Sequence, residues 1–411
     1  MIDERPPQSR PQRHRLIRAV LVVAPPAAAF TTYGLLLDHL SESWFKVDVL
    51  RYLLALLAAG VVWLGLALVR RLPSVAGLLA ESPVIGPAAG SGTRAEPGPT
   101  VLALAEGAKQ QVLDAVTGHL DHPALRGWGQ FLGDGAPPSA TGTSYGLRLV
   151  LALDLRDPRL DRAMLVRTLL ALQCEAGGWA STSQRGVARP EVTAWALGAA
   201  CRAGLERDER VRLTALLEDV TKKDVSGLNK TTVVTTVLST LTEVPPSAAL
   251  VAELADLLIT RLGRRDERVG WGETLSERQV PSLAHTARAV VALRRAAGVL
   301  PHHARLDEVI RAGVGWLVTA DDLSNGRERL RRQEGMQHET LTIDHFTAAW
   351  VAKALLICGD PDPVALRRAV AAVLAQQENG IWQWEQGPRP IWMTYQGLSV
   401  IRDYAMRRPV L

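Results

Sequence analysis

One glycine turn, most often followed by tryptophan, recurs six times along this chain of 411 residues: Gly127-Trp128, Gly178-Trp179, Gly227-Leu228, Gly270-Trp271, Gly326-Arg327 and Gly380-Ile381-Trp382. The glycines stand 51, 49, 43, 56 and 54 residues apart. A period near 50 is the length of one helix hairpin with its loops, and self-similarity of this kind outranks any local reading. Each turn follows an amphipathic helical pattern, near 103–118, 163–174, 209–221, 250–263, 306–319 and 365–377. Each precedes a more apolar one, starting near Thr143, Thr193, Thr231, Thr286, Thr347 and Thr394, as in TAWALGAA and TAAWVAKALL. Helices apolar nearly all round must be buried, and those with a charged face belong outside. The predicted fold class is therefore all-α: an (α/α)6 toroid over residues 101–411, six hairpins in an inner and an outer ring. An open superhelix of the same hairpins is the alternative, and six repeats ending on an inner helix favour closure. The threonine at each inner start is read as a helix N-cap.

Ahead of this lie two uncharged apolar segments, at 19–37 and 52–69, each near the minimum of about 18 residues for a membrane-spanning helix. Pro25-Pro26 would kink the first, which also reads as a signal peptide behind a basic start. Arg70-Arg71 after the second places the large domain on the cytoplasmic side under either reading. The expected organisation is a membrane region at 1–72 with one or two transmembrane helices, a Pro/Gly/Ala-rich linker at 73–100, and the toroid. Charge agrees with this division. Residues 1–72 carry 9 basic and 5 acidic side chains, and the remainder 38 and 37, so the net +5 gives no phosphate-tracking surface and no nucleic-acid partner. Hydrophobic residues make up 47% of the chain, which excludes wholesale disorder. Cys174, Cys201 and Cys358 fall in helical patterns without Cys-x-x-Cys spacing and read as reduced structural thiols.

Gln173-Cys-Glu-Ala-Gly-Gly-Trp179 and Gln377-Glu-Asn-Gly-Ile-Trp382 resemble the Gln-Trp repeats of squalene and oxidosqualene cyclases. The six-hairpin layout is similar to the α/α toroid those cyclases share with protein prenyltransferase β subunits. Partial matches stand at Trp128 and Trp271, and two repeats lack the tryptophan. The glutamine and tryptophan are read as scaffold, tying hairpins together through a side-chain amide and a packed indole.

The resemblance implies a site in the central cavity, near the inner-helix starts. The cyclases' Asp-x-Asp-Asp acid motif is missing. Its nearest equivalents put Glu191 two residues before Thr193, and His345 with Asp344 before Thr347, so Glu191, Asp344 and His345 are the candidate catalytic groups. For Glu191 the plain reading is an acid favoured in a first helical turn; for Asp344-His345 it is a cap with a solvated neighbour. Tyr145, Trp195, Phe346, Trp350, Trp392 and Tyr395 sit in the first turns of inner helices and are candidate substrate-binding residues, since aromatic faces suit a polyisoprenoid. The prenyltransferases' Asp-x-Cys zinc pattern is absent and no histidine pair has helix-borne ligand spacing, so neither metal nor cofactor is expected. Acids such as Glu191 and Asp344 would also serve a glycosidase, whose carboxylates stand roughly 5–9.5 Å apart.

The sequence thus sets up a membrane-tethered toroid, cyclase-like or prenyltransferase-like, that binds or processes a lipophilic isoprenoid or membrane lipid. The alternative is a non-catalytic scaffold binding a protein partner at the cytoplasmic membrane face. Whether it is an enzyme stays open at this point.

Overall fold

The computed structural model describes residues 101–181, 186–244, 248–276, 278–334, 337–359, 361–385 and 387–407. The apolar segments at 19–37 and 52–69 and the linker at 73–100 lie outside the described residues.

Six outer helices alternate with six inner ones along the described chain. The outer set is α1 (Val101–Asp114), α3 (Arg162–Ala171), α5 (Arg207–Lys223), α8 (Ala248–Thr260), α10 (Leu306–Val318) and α12 (Pro363–Leu374). The inner set is α2 (Ala140–Ala152), α4 (Pro190–Arg202), α7 (Thr231–Leu241), α9 (Leu283–Ala296), α11 (Thr347–Ile357) and α13 (Ile391–Arg407), with the single turn α6 (Val225–Leu228) between α5 and α7. Each inner helix packs on the next, and α13 packs on α2, which closes the ring. Burial follows the sequence pattern. Nearly every residue of α7 is buried, whereas α5, with mean hydropathy on the polar side, buries only Leu213, Thr214, Leu217 and Thr221. Among the described residues no helix is long and apolar enough to cross a membrane. Cys174, Cys201 and Cys358 are free and partly buried.

The fold departs from an all-helical reading at the turns between outer and inner helices. Short antiparallel pairs form there: β1 (Thr117–Gly118) with β2 (Arg126–Gly127), β3 (Gly263–Arg265) with β4 (Arg268–Gly270), and β7 (Gln377–Glu378) with β8 (Ile381–Trp382). The fifth turn grows into a nine-residue hairpin, β5 (Gly326–Glu334) with β6 (Gln337–His345), in which Glu328 faces Ile343 and Arg327 faces Asp344.

The recurring tryptophan is a clamp with two hydrogen bonds. Its indole N–H donates to the end of the preceding outer helix: Trp128 to Val112 O at 2.8 Å, Trp179 to Leu169 O at 2.6 Å, Trp271 to Leu258 O at 2.8 Å and Trp382 to Val373 O at 2.7 Å. Its backbone N–H donates to a threonine hydroxyl in the following inner helix: Thr143 at 3.3 Å, Thr193 at 3.1 Å, Thr286 at 3.0 Å and Thr394 at 3.4 Å. This corrects the N-cap reading of the threonines. Caps are supplied one turn earlier, by Ser139 in α2 and Ser282 in α9, and the fourth-residue threonine instead satisfies a buried donor of the turn. Glycines make room for the indoles. A Cβ on Gly146 would run into the Trp128 ring, and one on Gly397 into the Trp382 ring. Gln377 accepts from Gly380 N of its own turn at 3.0 Å, so it braces that turn rather than a neighbouring hairpin.

Candidate functional site

Inside the ring the inner helices enclose a cavity of about 80 Å³. Tyr145 and Arg148 of α2, Trp195 of α4, Glu243 after α7, Arg288 and Arg295 of α9, Trp350 and Lys353 of α11, and Tyr395 and Gln396 of α13 line it, with hydroxyls from Thr235, Thr236, Ser239 and Thr240. Four cations therefore face one carboxylate. Glu243 is fully engaged: it accepts a two-pronged pair from Arg202 at 2.9 and 2.7 Å and a further bond from Arg295 at 2.7 Å. Its carboxyl lies below its ordinary range because Arg295, Arg202 and Arg148 outweigh the burial that opposes ionisation. Arg148, Arg288 and Lys353 form no ion pair among the described residues. Arg288, 5% exposed, stacks 4.5 Å above the Trp350 ring and donates to Thr236 Oγ1 at 2.7 Å, while its buried Nε has no partner. Among the described residues Lys353 hydrogen-bonds Ser399 Oγ, at 3.4 Å, and lies near the Tyr395 phenol. Burial pulls the pKa of both Lys353 and Arg288 below its ordinary value.

The two cavity tyrosines are driven apart electrically although their rings lie 5.7 Å from one another. Burial pushes Tyr145 up to about 12. Burial also opposes ionisation of Tyr395, yet Lys353, Arg148 and Arg202 around its phenol bring it down to about 8. A spectrophotometric titration is expected to show one tyrosine ionising near pH 8, absent in Tyr395→Phe. The sign follows from linkage. The folded state releases this proton earlier than the unfolded state, so the stabilising contribution is complete above about pH 10 and is lost as pH falls through about 8. A parent without that ionisation would show that the cations do not surround the phenol.

A second cluster occupies the end of the ring where β5 and β6 meet the inner helices. Nε2 of His285 and Nε2 of His345 each lie 3.0 Å from Oε2 of Glu328, and all three side chains are buried. Thr232 donates its hydroxyl to the same oxygen at 2.8 Å, and Ser282 Oγ stands 2.6 Å from His285 Nδ1. Against the cost of burial, the two imidazoles hold the Glu328 carboxyl well below its usual range. Burial keeps His345 neutral, down to about 4. His285, Glu328 and His345 together form a donor set of metal-ligand type.

The residues singled out in the sequence divide between these places. Tyr145, Trp195, Trp350 and Tyr395 line the cavity. Trp392 packs edge-on against Phe131 at 5.6 Å, and Phe346 is wholly buried at the N-terminus of α11; neither lines it. Glu191 is buried in the first turn of α4, behind Pro190. Asp344 and His345 form no acid/base pair, because successive strand residues point to opposite faces. Asp344 pairs with Arg327 across the hairpin at 2.8 Å, and His345 turns inward to Glu328. Sequence reasoning passed over Arg148, Arg288, Arg295, Lys353 and Glu328. Two of the cations had a signal: Arg148 and Lys353 are each the one charge in an apolar inner helix.

No family model matches the chain, and no curated protein matches it. A solved structure similar to it is that of an inactive variant of an α-1,6-mannanase, GH76A of Salegentibacter sp., in complex with α-1,6-mannotriose. The identity is 10%, the match covers 74% of this chain and 98% of that one, and the TM-score is 0.48. The expected kinship with terpene cyclases and protein prenyltransferases is corrected: no family model carries it, and the similar structure is of a mannanase. The isoprenoid or membrane-lipid ligand, the partner-binding scaffold at a membrane face and the membrane location with a cytoplasmic toroid are corrected as well: the similar structure is of a mannanase with a bound mannotriose, and among the described residues no helix is long and apolar enough to cross a membrane. The cavity gives an independent physical reason. About 80 Å³ is far below the roughly 300 Å³ at which pockets for larger organic ligands begin, and its cations would repel a carbocation.

Proposed function

We propose that the central cavity binds the anionic head of a small phosphate-bearing or carboxylate-bearing molecule. The observation that carries this is the convergence of Arg148, Arg288 and Lys353 on one cavity with no direct salt bridge among the described residues, Arg148 bonding the Tyr395 phenol instead. A buried charge costs several kcal/mol unless it is paired. A bound anion supplies the partner, and guanidinium forks suit the planar or tetrahedral oxygens of such a group. The hydroxyls of Thr235, Thr236, Ser239 and Thr240 add donors along one wall. The mannotriose of the similar structure belongs to that protein.

Calorimetric titration with inorganic phosphate and with a sugar phosphate tests the proposal. Binding of both is expected, weakening as pH rises through about 8, where Tyr395 adds a negative charge to the cavity. Arg148→Gln removes one charged donor, worth about tenfold to a hundredfold in affinity. Equal binding by parent and variant, or tighter binding of neutral mannotriose than of either phosphate, would overturn the reading.

A further inference from the structure

Glu328, His285 and His345 come from three different elements, β5, α9 and the end of β6, and their donor atoms lie within 4.8 Å of one another. Their side chains are 0%, 6% and 2% exposed. The hydrogen bonding inside this cluster is lopsided. Oε2 of Glu328 has three polar neighbours, the Thr232 hydroxyl and Nε2 of both His285 and His345, while the buried Oε1 and the buried Nδ1 of His345 have no partner. Glu328 forms no direct salt bridge with an arginine or lysine among the described residues; its direct contacts are two imidazoles and a hydroxyl, with the Arg288 charge acting on it from farther off. Two ligands held about 2.0–2.2 Å from one ion at octahedral or tetrahedral angles stand roughly 3.0–3.4 Å apart. Both Nε2 to Oε2 separations, at 3.0 Å, have that spacing.

We infer that His285, Glu328 and His345 hold a divalent first-row transition metal ion through Nε2, a carboxylate oxygen and Nε2. Two imidazoles and one carboxylate select zinc, iron(II) or cobalt over the hard, oxygen-seeking magnesium and calcium. The surroundings fit a metal's outer partners. Ser282 Oγ, 2.6 Å from Nδ1 of His285, accepts the ring N–H and leaves Nε2 free to ligate, and Thr232 anchors the carboxylate. Three protein ligands leave a coordination position for an exogenous group. The inference stands apart from the anion reading, since it uses none of the cavity's unpaired cations. The two places are nonetheless neighbours, because Thr232, which bonds Glu328, lends its carbonyl to Arg288 at 3.5 Å.

The test uses the full chain, stripped with a chelator and titrated with zinc, then with cobalt for its visible absorption. One equivalent of each metal is expected, with cobalt bands of a nitrogen-and-oxygen site. Glu328→Gln and His345→Gln are expected to lose at least a hundredfold in zinc affinity, and Ser282→Ala about tenfold. Circular dichroism checks that each variant stays folded. His119→Gln, at the surface stack with His122, serves as the control and should bind as the parent does. If a ligand variant unfolds, the parent's cobalt spectrum and stoichiometry still decide. Absence of micromolar zinc binding in the parent, or unchanged affinity in folded Glu328→Gln and His345→Gln, overturns the site.

Discussion

Trp271→Ala is expected to lower the free energy of unfolding by about 3–5 kcal/mol, a large share of the roughly 5–15 kcal/mol a folded domain has in total. The indole is wholly buried and packs near Gly313 of α10. Removing it leaves a cavity, and it also leaves the carbonyl of Leu258 without its 2.8 Å donor. The second half of the clamp can be removed separately. Thr286→Val keeps the volume but takes away the acceptor of the Trp271 backbone N–H, at a cost of about 1–3 kcal/mol for one unsatisfied buried donor. Denaturant unfolding of both variants checks the ranking. Equal, small losses would mean that the clamp is packing decoration rather than a joint between outer and inner helices.

Lys353→Met is expected to act in the opposite direction. Replacing a buried, unpaired ammonium by an apolar side chain of similar length should stabilise the anion-free protein by about 1–4 kcal/mol, judged from substitutions of buried ions. The pH dependence gives the check its sign. Burial lowers the Lys353 pKa below its ordinary 10.5, so the penalty is complete while the folded amine is charged and is relieved as it loses its proton with rising pH. The variant should therefore be more stable than the parent at pH 7, with the gap narrowing as pH rises towards 10, and it should bind phosphate at least tenfold more weakly. A variant less stable than the parent at neutral pH would show that Lys353 is already compensated without a ligand.

The ring itself was legible because each repeat carries the same local statement: an amphipathic helix, a glycine turn with tryptophan, and an apolar helix. Those features act over a few residues, and the closure of α13 on α2 follows from adding six of them. The sites were less legible, for two different reasons. Arg148 and Lys353 were visible as lone charges in apolar helices, and Arg288 and Arg295 as part of a basic inner helix, but only the closed ring shows that they meet. Glu328 is hidden in the charge run RERLRR, which reads as solvated. Strand alternation was the missed clue, since it puts Glu328 and Leu330 on one buried face and Arg327, Arg329 and Arg331 on the other. A run of basic residues in the place of a Gly-Trp turn masked the period of two. The same error made Asp344 and His345 look like partners, when a strand separates such neighbours.

The packing of α13 against α2 has a consequence for how this architecture can change. An open array of hairpins can gain or lose a unit at either end, because each unit needs only its neighbours and a polar cap. A closed ring has no ends. Deleting one hairpin would strand two apolar inner faces at once, and adding one would widen the circle and pull Arg148, Arg288 and Lys353 apart. The number of hairpins is therefore coupled to the width of the cavity, whereas the loops between helices stay free to vary in length, as the long hairpin of β5 and β6 does in the fifth unit. New chemistry in such a ring is added at its rim, and the diameter is inherited whole.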